Sequence, residues 1–207
     1  MHILVTDVLT CPRCGPDFGL ILLADRLEER RIYEGSLGCA NCREQYAVHG
    51  GLADLRYPPG HALPSVAALE VAEDAAIRLA ALLGITGSPG RFLIIGSGAA
   101  LAPAIVALVP EVEILAVDSA LASFPEQPGV SRVAAGASLP FASHSLRAVA
   151  LTGGDERLAE ALRMLAPGGR IVLDPAAPGG ADALRGAGLQ ILLDEEGVVV
   201  ASPPLDR

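Results

Sequence analysis

Two Cys-x-x-Cys pairs constrain this chain more than any other feature. Cys11-Pro12-Arg13-Cys14 and Cys39-Ala40-Asn41-Cys42 use all four cysteines and stand 24 residues apart. Each pair makes a tight knuckle with both sulfurs facing one point, and two knuckles complete the closed tetrahedron that structural Zn²⁺ prefers. Disulfides do not suit a chain with cytoplasmic features. A redox motif lacks its thioredoxin-like setting, and four thiolates leave no open position for a catalytic water. The runs Leu20 to Leu23 and Ile32-Tyr33 between the pairs read as strands that return the second knuckle to the first. His49 lies beyond the second knuckle and reads as a strand-end residue.

Charge narrows the function. The formal net charge is −9, and all 15 basic residues are arginines, so lysine Schiff-base or general-base chemistry is excluded. An acidic chain with no Trp and only 3% aromatic residues opposes a phosphate backbone and offers little for base stacking, so stand-alone nucleic-acid binding is not expected. Arg26, Arg30 and Arg31 cluster, but Asp25, Glu28 and Glu29 interleave them, which predicts a solvated face. The opening Met-His-Ile-Leu-Val-Thr-Asp lacks the pattern of a signal peptide, so a cytoplasmic location is expected. Phe92 to Pro110 is uncharged for 19 residues, yet Gly96, Gly98 and Pro103 divide it into strand, turn and helix rather than a membrane span.

Three prolines and a glycine within Tyr57 to Pro64 predict a linker at 58–64, between a cysteine module at 1–57 and a second unit at 65–207. Ser65 is placed to cap a helix that runs to about Leu83 and stops at Gly84, with Val66, Leu69, Ala76 and Leu83 on one stripe. From Arg91 on, strand-like and helical runs alternate. Strands are expected at Phe92 to Ile95, Val112 to Val117, Ser131 to Ala134, Ala148 to Leu151 and Arg170 to Leu173. Helices are expected at Leu101 to Leu108, at Asp155 to Leu165 with Asp155 and Glu156 favoured by its dipole, and at Ala181 to Ala187. The alternation predicts an α/β fold with a mainly parallel sheet. Leu189 to Leu193, a turn at Glu195-Glu196-Gly197 and Val198 to Ala201 predict a closing antiparallel hairpin.

Gly96-Ser97-Gly98 follows a buried strand and precedes a helix, where backbone can approach a ligand closely. Leu101 stands where a nicotinamide fingerprint needs glycine, and no Gly-Lys-Ser/Thr phosphate loop occurs. Asp118 ends the next strand about 20 residues on, where a carboxylate accepts from ribose hydroxyls.

Two family resemblances follow. Leu9-Thr10-Cys11-Pro12-Arg13-Cys14-Gly15, the run Glu34 to Cys42, Gln45-Tyr46-Ala47-Val48 and Gly50 to Leu55 resemble the zinc ribbons of small methyltransferase-activator proteins, with Ala47 where that family usually has proline. Such ribbons stand alone as methyltransferase partners or are fused to them. Ser138-Leu139-Pro140-Phe141 and the run Ala161 to Leu173 around Pro167-Gly168-Gly169 resemble class I S-adenosylmethionine-dependent methyltransferases, with a Rossmann-like fold, over about residues 65 to 202. That resemblance implies Gly96, Ser97 and Gly98 at the methionine end of S-adenosylmethionine, Asp118 at its ribose and Ala137, Ser138 and Leu139 at its adenine.

The sequence departs from the methyltransferase pattern at Ile94, where an acidic residue is common, at Ala100, which replaces a third glycine, and at Ala137, where an aspartate is frequent. No Asn-Pro-Pro-aromatic signature follows the fourth strand, and no catalytic residue is assigned. His144 falls in an expected loop without a chemical role. Two functions result: a compact methyltransferase of unidentified substrate, acting on a macromolecule or with a partner that supplies the missing substrate wall, or a methyltransferase-like scaffold that has lost cofactor binding. A protein partner or a homo-oligomer suits either.

Overall fold

The computed structural model describes residues 1–58, 63, 73–86 and 90–204. Most of the expected linker, the Ser65 cap, Val66 and Leu69 lie outside the described residues.

The strands are β1 (Thr10–Cys11), β2 (Gly15–Glu28), β3 (Arg31–Cys39), β4 (Gln45–His49), β5 (Leu52–Leu55), β6 (Arg91–Gly96), β7 (Glu113–Val117), β8 (Val130–Ala135), β9 (Leu146–Thr152), β10 (Leu165–Leu173), β11 (Gln190–Glu195) and β12 (Val198–Ser202). The helices are α1 (Glu73–Leu83), α2 (Ala102–Leu108), α3 (Leu158–Met164) and α4 (Gly180–Gly186). Among the described residues all twelve strands join one sheet in the order β1-β2-β3-β4-β5-β8-β7-β6-β9-β10-β12-β11.

The central strands β8, β7, β6, β9 and β10 are mutually parallel. Their apolar residues are shielded on both faces, which is why Phe92-Leu93-Ile94-Ile95 and Ala148 to Leu151 read as continuous hydrophobic runs rather than alternating ones. β12 runs antiparallel to β10, and β11 antiparallel to β12. One core, with Leu93, Leu115, Val149 and Ile171, fills the face that also receives Val5, Leu9, Cys11, Leu37 and Tyr46. The other face packs α1 and α2 through Leu79, Leu83, Ala102 and Ile105 against Phe92, Ile94, Ile114 and Val172.

The cysteine-bearing strands are continuous with this sheet because β5 pairs parallel to β8, from Leu52 beside Arg132 to Leu55 beside Ala135. Arg31 is the main departure from expectation. It is 5% exposed rather than solvated, and its guanidinium binds Glu126 and Glu113 and donates to the carbonyl of Val130. β3 carries it beneath the parallel strands, so tertiary packing places the charge inside while Arg26 and Arg30 remain outside. Glu126 also pairs with the Met1 amine at 2.8 Å and with Arg132 at 3.5 Å.

The helix expected from Asp155 begins instead at Leu158. Asp155 accepts from the backbone N–H of Ala177 at 3.1 Å, tying the turn after β9 to the one after β10 instead of charging a helix end. Among the described residues no helix is long and apolar enough to cross a membrane.

Candidate functional site

Two groups of chemistry-bearing residues emerge, one at the cysteine knuckles and one at the carboxyl ends of the parallel strands. Cys11 ends β1, Cys14 lies in the turn into β2, Cys39 ends β3 and Cys42 lies in the turn into β4. The amide of Arg43 donates to the Cys39 carbonyl at 2.9 Å, and Arg43 has φ +64°, which folds the second knuckle back on itself. All four sulfurs lie within 4.8 Å of one another. Cys11 and Cys42 are 3.6 Å apart and Cys39 and Cys14 3.9 Å, against about 3.8 Å for sulfurs spanning a tetrahedral Zn²⁺ with Zn–S near 2.3 Å. The four-sulfur donor set therefore fits such an ion.

Outer groups support the sulfurs. The Tyr46 hydroxyl lies 3.4 Å from Cys11, and the Asn41 side-chain amide donates to Cys14 at 3.3 Å. In the metal-free thiol set, burial pushes the Cys11 thiol up, but hydrogen bonds from Tyr46 and from the backbone of Cys14 and Arg13 outweigh it and bring it down to about 7. Burial first, then its sulfur neighbours, pushes Cys42 up to about 12. Four thiols this close resist losing all their protons together unless a cation takes their place. His49 ends β4, is 90% exposed and faces Glu34 at 2.8 Å, away from the sulfurs.

The second group lies where the chain order reverses. β6 has β7 on one side and β9 on the other, so the connections leave in opposite directions and open a crevice at the carboxyl ends of the strands. A cavity of about 240 Å³ occupies it, lined among others by Gly96, Asp118, Ser119, Thr152, Glu156 and Arg157. Asp118 follows β7, and its carboxylate accepts from the Ala120 N–H at 2.8 Å, which fixes it at the rim. Arg157 donates to the Gly136 carbonyl at 2.9 Å and closes one side.

The glycine turn is shaped by a neighbouring residue of the chain. Gly96, with φ +89°, lies against β9 so closely that a Cβ there would overlap the Thr152 carbonyl oxygen. A Cβ on Gly98 would lie 2.7 Å from the Thr152 Cγ2. The buried Thr152 hydroxyl donates to the Ile95 carbonyl at 2.6 Å and accepts from the Gly98 N–H at 2.7 Å.

The structure thus brings Gly96 and Asp118 to one cavity. Ser97 is exposed beside it and Gly98 is buried beneath it. Ala137 and Ser138 are exposed and outside the cavity lining, whereas Leu139 is buried in the core, its amide held by Glu160 at 3.3 Å. His144 is in a turn, its ring 3.2 Å from the Leu165 carbonyl. Sequence reasoning missed Thr152 and Arg157. The available signal for Thr152 was a lone hydroxyl at the end of the apolar run Val149-Ala150-Leu151, directly before Gly153-Gly154.

Strand order, antiparallel closing strand and crevice define the Rossmann-like fold of methyltransferases. No protein-family model matches the chain, and no curated protein matches it. Solved structures do. A precorrin-6y C5,15-methyltransferase from Geobacter metallireducens GS-15 is 14% identical over 69% of this chain and 94% of its own, with TM-score 0.51. A geranyl diphosphate methyltransferase in complex with GPP and sinefungin is 12% identical over 63% and 78%, with TM-score 0.50. A chain from the complex between the Haloferax volcanii Trm112 methyltransferase activator and a methyltransferase is 14% identical over 64% and 90%, with TM-score 0.47. At these identities the first two likenesses show the fold alone.

Proposed function

We propose that the chain is a compact S-adenosylmethionine-dependent methyltransferase. Residues 1–57 act as a zinc ribbon held by Cys11, Cys14, Cys39 and Cys42, 58–64 as linker and 65–207 as the methyltransferase domain. The observation that carries the reading is the meeting of Gly96 and Asp118 in one crevice at the reversal of strand order. A carboxylate at the end of β7 suits a ribose diol, and the bare backbone at Gly96 admits close approach. The bound cofactor supplies an activated methyl group on sulfonium. The chain's own contribution is positioning, which suffices for such a transfer without a dedicated acid or base.

The cavity of about 240 Å³ is smaller than the ~300–1,000 Å³ usual for a small-molecule site. The sulfur cluster in turn suits a reducing compartment such as the cytoplasm. Titration calorimetry with S-adenosylmethionine and with its demethylated product tests the reading: micromolar binding that disappears in Asp118→Ala is expected, and absence of heat with both ligands overturns it.

A second reading, a non-catalytic scaffolding subunit, is favoured by Thr152, whose hydroxyl takes up the Gly98 N–H that a ligand could otherwise use. A folded, metal-loaded chain that binds neither ligand supports that alternative.

A further inference from the structure

At 14 residues β2 is the longest strand among the described residues, and within them β1 covers its outer edge only at Gly15 and Gly19. From Leu20 to Glu28 it pairs with β3 on one side, and among the described residues no backbone pairs with its other side. An open edge is ordinarily blunted by charge, proline or a bulge. Here Phe18-Gly19-Leu20-Ile21-Leu22-Leu23-Ala24 carries no charge and no proline. Ile21 and Leu23 stand in solvent, 58% and 54% exposed, whereas Leu20 and Leu22 pack against the core. A groove of about 340 Å³ runs beside them, lined also by Gly38, Cys39 and Ala40.

We propose that this edge is a homodimer interface, in which β2 pairs antiparallel with β2 of a second copy about a twofold axis at Leu22. The pattern of side chains selects both occupant and register. With the axis at Leu22, Ile21 faces Leu23 of the second copy and Leu20 faces Ala24, and the matched segment ends there because Thr10 of β1 already holds the edge at Gly19, level with Asp25 of the second copy. An axis at Leu23 sets Ile21 against Asp25 and Leu20 against Arg26, and one at Ala24 sets Leu23 against Asp25. An axis at Ile21 sets Leu23 against Gly19, whose edge Thr10 already holds, and an axis at Asp25 sets that carboxylate against itself. Apolar residues or unlike groups opposite one another stabilise a pair, and like charges oppose it.

The pairing has defined ends. The β2–β3 register shifts between Ala24 and Arg26, where charge also begins, so the strand turns aside just past the matched segment. An isologous interface meets itself in a single closed pair rather than a fibre. The net charge of −9 per chain opposes the approach of two copies at long range, so added salt favours the dimer.

Light-scattering mass measurement of the full chain from low to high micromolar concentration tests the interface. A mass approaching twice 21.2 kDa is expected, reached at lower protein concentration as salt rises. Leu23→Lys should be monomeric with unchanged circular dichroism and melting, and Ile77→Lys, at an exposed site on α1, should remain dimeric. Register is read by disulfide trapping. Directly opposite residues lie about 4.5–5.5 Å apart at Cα, within reach of a disulfide, so Leu22→Cys should cross-link on mild oxidation. Ala24→Cys should not, because its copies fall roughly 13 Å apart along the strands. A monomer at every concentration, a dimer indifferent to Leu23→Lys, or equal trapping at positions 22 and 24 overturns the proposal.

Discussion

The hydroxyl of Thr152 accepts the Gly98 N–H at 2.7 Å, so the end of β9 holds the turn that follows β6. The same oxygen donates to Ile95 at 2.6 Å, and both contacts are buried. Thr152→Val keeps the shape but orphans a buried donor and a buried acceptor. A loss of about 1–3 kcal/mol in unfolding free energy is expected, read from urea denaturation.

Gly98→Ala tests the packing half of that contact. The added Cβ meets the Thr152 methyl at 2.7 Å, which should cost about 1–3 kcal/mol by overpacking. Removing the methyl in Thr152→Ser should recover part of that loss, so the double variant is more stable than the sum of the single effects predicts. Additive losses in a denaturation cycle would contradict direct contact.

Glu126 is a buried hub, with Arg31, Arg132 and the Met1 amine around it. Burial lowers the affinity of the Arg132 guanidinium for its proton, and Glu126 opposes that effect. Glu126→Ala leaves the cations without their common partner, and a loss of about 3–5 kcal/mol is expected. Thermal and chemical denaturation should both register it. A loss below the cost of an ordinary surface change would assign the hub to solvent.

Metal removal should be felt beyond the knuckles, because Cys11, Cys39 and Tyr46 share a core with Leu93 and Val149. Mercurial titration of the purified chain should release one equivalent of Zn²⁺, and chelation should lower the melting temperature of the whole molecule. Cys39→Ser should reproduce both effects. Metal content near zero in folded protein would exclude a structural ion.

The hydrogen bond from Arg163, together with its charge and the Leu139 amide, outweighs burial and holds the Glu160 carboxyl below its usual range. Glu160 thus anchors the loop that enters the core at Leu139. A carboxyl depressed in the folded state contributes stability above its unfolded value, near pH 4.5, and loses it as pH falls through the folded value. Acid unfolding of Glu160→Gln should therefore match the parent at low pH and fall behind it above about pH 4.5. Parallel curves across that window would remove Glu160 from the account.

The sequence by itself determined that the four cysteines converge, that the central strands run parallel and that Gly96 and Asp118 follow strands, because these rest on local spacing: knuckles two residues wide, uncharged strand-length runs, and glycine between strand and helix. It misplaced Arg31, whose charged neighbours along the chain indicate solvent, because burial of a guanidinium depends on Glu113 and Glu126, 82 and 95 residues away. It was silent on Thr152, whose role arises only when β9 lies against β6. Whether a polar side chain is exposed, or a glycine turn is already filled, depends on partners brought together across the sheet, and only the tertiary structure decides which partners those are.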